Sequence, residues 1–447
     1  MADPKAFPRM AGPGLVLCLA LLVGLAGSLP SVEADAAELT DVLDAFDGPD
    51  PFDFAMRLRF LSDTRTSTVA RQVKCLAGDA IGGQVCPDAS GIVLAKELAY
   101  ERVRNVMAID ARFGLYKDME VYLSLPIVLW DQWQHDFADG VTKENSTIRT
   151  PTDNESLFAI DYASNQRSGL GDMQLGLRWA PFNWYRDATE PSWVIGVDYT
   201  LPTGTPMTAQ NDTVGYGLSE LQLYTTISRR TLRMLEPYFH LRSIIRFGSQ
   251  DGLFVSHGQT QTQEAPGAVI GTQVGLSVLP WENNVRDERV EIEGGFGMDY
   301  VFRGREYTEV WEALASPSNP CQASQGCTNT LNTKSALDAS GQMTQTDGIT
   351  DVEAYGRFAG WVGVHYQPVK FFQVSGRLGW VTETPHFITY GDYGKNLDSN
   401  PAVEQSNKQG QNEYSPTFLP SVDTPGSRLR VQDVSTFGLM LSIQGKL

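Results

Sequence analysis

The hairpin at residues 103–130 constrains the fold more than any other part of the sequence, because each of its strands has two unlike faces. Its first strand places Arg102, Arg104, Asp110 and Arg112 opposite an apolar row. A period of two is the signature of a strand with different surroundings on its two sides. Each strand spans about ten or more residues, whereas strands of soluble domains average about 5–6 and a tilted bilayer-crossing strand needs about 9–11. Arginines opposite an apolar face are therefore typical of a membrane barrel with a polar interior.

Both strands of this hairpin are predicted to turn an apolar row outward, with a tight turn at 116–119. The outward residues are Val103, Met107, Ile109, Ala111, Phe113, Leu115, Val121, Leu123, Leu125, Ile127 and Leu129. The predicted inward residues of the return strand are Glu120, Tyr122, Ser124 and Trp130.

The same alternation recurs along the chain and predicts twelve strands in an all-β, antiparallel up-and-down transmembrane barrel. The first strand is predicted at 52–63, and the hairpin supplies the next two. The others are predicted at 169–181, 192–202, 218–229, 235–247, 267–280, 288–302, 352–366, 371–382 and 430–447. Connections alternate between short and long, as in outer-membrane barrels with short periplasmic turns and long extracellular loops.

Aromatic residues gather at the predicted short-turn ends, where their amphipathic rings suit the headgroup level of a bilayer. They are Trp179, Phe182, Trp184, Tyr185, Trp193, Trp281, Tyr366, Phe371 and Phe372. A soluble β-sandwich, the competing fold, gives no reason to collect such rings on one rim.

Composition narrows the class of partner. The net charge of −18 argues against nucleic acid, which favours a basic face. No stretch after the N-terminus reaches the 18 or more apolar residues of a membrane helix, so a closed sheet is the remaining way to satisfy the backbone in lipid. The expected partners are outer-membrane lipid, the barrel-assembly machinery during biogenesis and a small-molecule solute.

The N-terminus reads as a secretory signal. Lys5 and Arg9 precede the short apolar run 15–25, and the motif at 34–36 predicts cleavage before Ala37. The predicted division is a signal peptide at 1–36, an acidic, solvated periplasmic leader at 37–51 and the barrel at 52–447. A calcium site in the leader is disfavoured, because the aspartate spacing is not that of an EF-hand loop.

Four cysteines remain after cleavage, in two close pairs: Cys75 with Cys86, and Cys321 with Cys327. In an exported chain this even count predicts disulfides, with local pairing the simplest of three pairings. No histidine lies near either pair in sequence, which disfavours metal binding, and no metal or cofactor is expected.

The inward positions carry charges of both signs. The predicted lumen-lining residues are Arg102, Arg104, Asp110, Arg112, Glu120, Asp172, Arg178, Asp198, Glu220, His240, Arg242, Arg246, Glu293, Asp299, Arg357 and Arg377. Two readings stay open and are compatible: ion pairs that fill the barrel, or a charged lining of a narrow aqueous path.

Four segments resemble the phenol-degradation-pathway transporter-like family of Gram-negative outer-membrane barrels: FGLYKDMEVYLSLP (113–126), GLGDMQLGLRW (169–179), YTLPTGT (199–205) and GYGLSELQLYTTISRR (215–230). The family is a loose relative of the long-chain fatty-acid channels. The resemblance covers roughly 100–383 in pattern and implies a barrel that passes or exports small, often hydrophobic molecules across the outer membrane. It brings no catalytic residues.

Two other functions compete with a passive channel. One is a barrel with a sealed lumen whose long loops bind or adhere. The other is a lipid-acting enzyme, which needs Ser and His within reach of each other and an orienting group. His135, His257 and His386 fall in predicted loops, and neither a G-x-S-x-G nor an H-E-x-x-H motif occurs. No enzymatic activity is therefore expected.

Overall fold

The computed structural model is an all-β barrel. The described residues are 39–43, 53–76, 80–81, 84–85, 91–149, 156–158, 160–184, 186–209, 211–232, 234–248, 265–283, 285–315, 347–392 and 418–446. The barrel strands, β1 to β12, are Phe54–Cys75, Gly91–Tyr116, Met119–Phe137, Met173–Phe182, Ser192–Leu201, Ser219–Ser228, Leu235–Phe247, Val269–Asn283, Glu288–Val301, Tyr355–Val369, Phe372–Glu383 and Leu429–Lys446.

The twelve strands form a closed antiparallel ring, which confirms the predicted topology. Each strand pairs with the next in sequence, and β12 pairs with β1 from Ala55 opposite Lys446 to Arg71 opposite Leu429. Closure leaves no long edge with unpaired backbone groups among the strands that the structure describes.

Short elements lie between the barrel strands. Two of them are helices, α1 (Trp311–Ala315) and α2 (Pro420–Asp423). The short strands are Ala80–Ile81, Gln84–Val85, Tyr162–Ala163, Arg167–Leu170, Gly304–Glu306, Thr350–Val352 and His386–Phe387. Within the described ranges, no helix has the length and apolar character needed to cross a membrane.

The outer surface carries the apolar rows that the alternation predicted. On β1, Met56 and Leu58 are 52% and 45% exposed, while the intervening Arg57 is 9% exposed. The same pattern holds on β9, where Ile292 and Met298 face outward. Exposed apolar side chains therefore encircle the ring and the charged row is enclosed.

Several strands run well beyond their predicted ends. β2 has 26 residues and β1 has 22, whereas β4, β5 and β6 have 10 each. The added lengths lie at the long-loop end, where the outer face is polar and the apolar alternation fades. The sequence alternation therefore predicts the part of each strand that has an apolar outer row, but it does not predict the strand residues beyond that row.

A β-bulge in β3 corrects one predicted face. The β2–β3 register shifts between Asn105 opposite Trp130 and Val106 opposite Val128, so Leu129 is an extra residue. One extra residue reverses which side chains point inward beyond it. Trp130, predicted to be inward, is therefore 38% exposed, and Trp133 is 3% exposed.

The connections alternate as predicted. Tight turns join β2 to β3 and β10 to β11, while the described parts of long segments such as 138–172 and 302–354 lie at the opposite end. Exposed aromatic residues stand at the short-turn ends, among them Trp179, Trp281 and Phe371. Tyr185 lies outside the described residues.

Parts of the predicted processing and disulfide pattern fall outside the described residues, including the signal peptide and Cys86, Cys321 and Cys327. Cys75 is the last residue of β1 and is 2% exposed. Both disulfides remain predictions. Of the acidic leader, residues 39–43 are described, and the expectation that this segment is solvated is wrong for them, because Leu39, Val42 and Leu43 are each less than about one-tenth exposed.

Candidate functional site: the barrel interior

A cavity of about 430 Å³ occupies the half of the barrel interior nearer the long loops. Its base lies at the level of Arg59, Ala108 and Ser124. Its upper wall is aromatic and includes Trp133, Tyr307 and Trp311. A compartment of this size is large enough for a small organic molecule.

The predicted lumen residues divide into two layers. Those that line the cavity are Arg102, Arg104, Asp172, Glu220, Arg246 and Arg357. Those that are buried without lining the cavity are Asp110, Arg112, Glu120, Arg178, Asp198, His240, Arg242, Glu293, Asp299 and Arg377. Most of these are nearer the short turns, but Asp299 lies near the long-loop end of β9, directly opposite Arg357. The sequence identified both layers as inward-facing and could not separate them.

Ion pairs fill the lower layer. Arg112 Nη2 lies 2.7 Å from Glu120 Oε2, and both side chains are almost fully buried. Asp110 pairs with two arginines of β1, with Arg57 Nε at 2.8 Å. These contacts join neighbouring strands across the interior, so this layer matches the structural reading of the charged row.

Glu293 is the centre of a second group in the lower layer. Its Oε1 accepts hydrogen bonds from the Tyr238 hydroxyl and from Trp361 Nε1, and its Oε2 accepts one from Arg377 Nη2 at 2.6 Å. Charge-assisted hydrogen bonds of this kind satisfy a carboxylate that has lost its water. The group links β7, β9, β10 and β11.

Inward tyrosines in this layer lie over glycines of neighbouring strands. A Cβ added to Gly196 would stand 2.0 Å from the Tyr224 ring, and one added to Gly176 would stand 2.0 Å from the Tyr122 ring. Arg178 Nε donates a hydrogen bond of 2.9 Å to the Tyr224 hydroxyl and so fixes the ring over its glycine. Glycine at these positions is what allows large rings to fill the interior.

Residues 39–43 lie across the short-turn end of the interior. Leu39 packs against Tyr238 and Trp361, and Val42 packs against β4 and β5. Polar contacts hold the same segment: Arg112 Nη2 donates to Asp41 O at 2.6 Å, and Lys446 Nζ lies 2.7 Å from Asp41 Oδ2. The segment therefore covers the lower layer from the short-turn side.

The long loops fold over the opposite end. α1 lies inside the mouth, where the guanidinium of Arg167 is 5.3 Å from the Trp133 ring centre and 5.1 Å from that of Trp311. Arg167 Nη2 also donates to Glu312 Oε1 at 3.0 Å. Burial raises the pKa of the Glu312 carboxyl, which the Arg167 charge opposes. The described parts of segments 131–168 and 303–351 thus contribute to the interior.

The sequence missed the residues that form the aromatic wall. The sequence predicts Trp133 and His135 in a loop, but both lie in β3 and face inward because of the bulge at Leu129. Trp311 and Tyr307 lie in a long connection whose polar sequence gave no sign of an inward fold. No local sequence signal marks the bulge, since it depends on the pairing register of two strands.

The histidines have varied surroundings. His240 Nδ1 lies 2.8 Å from the Thr226 hydroxyl, and His386 stacks on Tyr355 with ring centres 3.8 Å apart. His365 is buried beside Glu293, and His257 lies outside the described residues. Among the described residues, no three His, Cys, Asp or Glu side chains form a group suited to a metal ion.

No protein-family model matches this chain. No curated protein matches it either. The resemblance to phenol-degradation-pathway transporters therefore remains a prediction.

Among solved structures, an outer membrane channel from Pseudomonas putida F1 is similar, with a TM-score of 0.45 and 11% identity, over 93% of this chain and 100% of that one. A Pseudomonas aeruginosa FadL homologue gives 0.31 and 8%, over 89% and 90%. The outer membrane protease OmpT from Escherichia coli gives 0.29 and 10%, over 91% and 100%. Likeness at this level decides neither the family nor the function.

Proposed function

We propose that this chain is an outer-membrane barrel through which small solutes pass passively, after export has removed residues 1–36. The observation that carries the proposal is the arrangement of the two faces of one closed sheet. Apolar side chains cover the outside of the ring, and the inside holds a cavity of about 430 Å³ lined by charged and aromatic side chains.

The outer face supports the membrane part of this proposal. Strands of 10 residues or more, with exposed apolar side chains and aromatic residues at the short-turn ends, fit a lipid-facing belt. By the usual asymmetry the short turns and the leader are periplasmic and the long loops are extracellular. The partners are then outer-membrane lipid, the assembly machinery and the solute.

The interior supports the passage part. The cavity lies between two coverings, the long loops and residues 39–43. The leader segment is a short piece of chain held by a few side chains and is not part of the sheet, so it can leave without opening the barrel. The predicted lumen residues of the upper layer are then the pathway lining, and those of the lower layer are its packed floor.

A direct test is conductance in planar bilayers together with solute-driven swelling of liposomes. The expected result is a small conductance and slow entry of small solutes. A heat-modifiable, fully folded barrel that neither conducts nor admits solutes, with residues 39–43 present or displaced, would overturn the proposal.

One observation favours a second candidate, a barrel with a sealed lumen whose loops bind at the cell surface. The lower layer is densely filled with buried ion pairs. The long-loop end of the barrel also has its own apolar core, which includes Val69, Phe158 and Leu314. Deletion of a long loop should then abolish attachment while permeability stays at the level of empty liposomes. Passage of solutes through the intact protein contradicts this candidate.

A further inference from the structure

One pair of opposite charges on the cavity wall differs from the rest. Asp63 of β1 and Arg104 of β2 are directly opposed in the antiparallel register, and both line the cavity. Directly opposed residues have Cβ atoms about 4.5–5.5 Å apart. Even so, across the ranges that the structure describes, the two side chains form no hydrogen bond or ion pair with each other or with another residue, and Arg104 Nε is buried without a partner.

The other charged side chains of the cavity wall are engaged. The arginines lie beside carboxylates in these pairs: Arg59 with Asp110, Arg65 with Glu309 and Glu383, Arg102 with Asp131, Arg246 with Glu220, and Arg357 with Asp299. Asp172 accepts hydrogen bonds from the backbone amides of Gly204 and Tyr216. Within the described chain, Asp63 and Arg104 are therefore the charged side chains of this wall that form neither a hydrogen bond nor a close ion pair.

An apolar patch adjoins Asp63 and Arg104. Val106, Val128 and Val214 form a buried cluster against which Leu61 packs, and all four line the cavity. Leu61 and Val106 are two residues from Asp63 and Arg104 on the same faces of β1 and β2, so the patch begins directly beside the two charges. On the other side of the pair stand Arg65 and Arg102, whose charges are already matched.

We propose that Asp63, Arg104 and this patch form a binding site for a small dipolar solute with an apolar body, of which an apolar α-amino acid is the minimal form. Its carboxylate accepts hydrogen bonds from the Arg104 guanidinium, its ammonium donates to the Asp63 carboxylate, and its side chain lies on the valine patch. A lone carboxylate would meet the Asp63 charge and a lone amine would meet Arg104, so the site discriminates against both.

The proposal deepens the proposed function, because the site lies inside the suggested pathway, but its test does not depend on transport. Binding of three probes of similar shape is measured by equilibrium dialysis on the full chain in lipid nanodiscs: L-leucine, 4-methylpentanoate and 3-methylbutylamine. The wild-type protein should bind leucine at least about tenfold more tightly than either single-charge probe, since each of those leaves one charge unpaired.

Two variants should each shift the binding preference from leucine to one of the single-charge probes. Asp63→Asn should weaken leucine binding about tenfold and bring 4-methylpentanoate to equal or better affinity, while Arg104→Gln should do the same for 3-methylbutylamine. Gln174→Ala, a change in β4 that lines the same cavity outside the proposed site, should leave all three affinities unchanged. A general loss of folding would lower binding of every probe and cannot produce this opposite pair of preferences.

Several outcomes overturn the site. They are a wild-type protein that binds none of the probes, one that prefers a single-charge probe to leucine, or variants that lose leucine without gaining the matching probe. If conductance fails but the exchange of preference occurs, the binding site stands and the channel proposal falls. If conductance occurs without any preference, the reverse holds.

Discussion

Arg167 and Glu312 form a fully buried ion pair although 145 residues separate them in the sequence, with 3.0 Å between Nη2 and Oε1. Breaking such a pair leaves an unmatched buried charge, which costs about 3–5 kcal/mol. Arg167→Met is therefore expected to free α1 from the mouth of the barrel. Hydrogen exchange of the 311–315 amides should rise strongly, while exchange in β4 to β7 stays unchanged.

The control for this change is Arg286→Met, since Arg286 is exposed in a short turn. The double variant Arg167→Met, Glu312→Leu should recover part of the protection, because neither charge is then left alone. Equal exchange in wild type and Arg167→Met would show that α1 is held by its apolar contacts and not by this pair.

Gly196→Ala is expected to destabilise the barrel by about 1–3 kcal/mol, the usual cost of overpacking. The added methyl group would stand 2.0 Å from the Tyr224 ring, which Arg178 holds in place. Gly379→Ala is the matched control, because the nearest atom to its Cβ is 3.9 Å away. Urea unfolding in lipid vesicles measures both, and equal midpoints would contradict the packing argument.

Leu177→Arg tests the outer belt. Leu177 is 43% exposed near the middle of β4, and an arginine facing the bilayer midplane costs about 2–4 kcal/mol. Leu232→Arg, in a short turn where the side chain is 82% exposed, should cost about nothing. If both variants fold equally well into vesicles, the apolar row does not meet lipid and the membrane placement is wrong.

Releasing the leader should raise permeability. Leu39→Ser with Val42→Ser removes the apolar anchors of residues 39–43 while leaving the strands untouched. We expect a several-fold larger single-channel conductance than in the wild type. The control is Thr40→Ala, which removes one hydrogen bond to Ser228 and keeps both anchors. An unchanged conductance in the double variant would mean that the packed lower layer, and not residues 39–43, limits the conductance.

Asp423 makes the loop before β12 sensitive to pH. Burial raises the pKa of its carboxyl from 3.8 to about 7, although it accepts hydrogen bonds from the Leu419 and Gly391 amides. A carboxyl whose folded-state pKa is raised binds more protons when the loop is folded against the barrel than when it is released. The free energy that holds the loop in place therefore decreases as pH rises from about 4 to 7 and is constant above that. The full effect is at most about 4 kcal/mol.

The check is amide exchange of residues 418–428 at pH 5 and pH 8, each corrected for its intrinsic rate. The wild type should be better protected at pH 5. Asp423→Asn has no charge to bury and should show the same protection at both values. Better protection of the wild type at pH 8 would mean that the two amide hydrogen bonds outweigh burial.

The sequence is sufficient for the part of the barrel that carries the apolar outer belt, because an apolar outer face and a charged inner face impose a strict period of two. It predicted Met56 outward and Arg57 inward, and both are confirmed. Beyond the apolar outer belt, the period-two pattern fades. The bulge at Leu129 then turns Trp130 outward and Trp133 inward, and nothing in the local sequence distinguishes a bulge from one more residue of strand.

The candidate site shows the same contrast between the face of a residue, which the period predicts, and its contacts, which the period does not predict. The period of two groups the charges of the lower layer on one face, but their partners depend on three-dimensional register, as in the contact of Arg377 with Glu293. Trp311 reaches the cavity from a long connection, and its position depends on Arg167 from another loop. Burial of residues 39–43 was missed because an acidic, short segment has the composition of a solvated one.

The unequal strand lengths make the molecule lopsided. With a rise of about 3.3 Å per residue and a tilt of about 40°, the excess of β2 over β5 raises one flank roughly 40 Å above the other, by the difference between 26 and 10 residues. Among the described strands, the wall that β1 to β3 build at the long-loop end is therefore higher than the wall that β4 to β6 build. A solute that reaches this end over β4 to β6 passes a lower wall than one that arrives over β1 to β3.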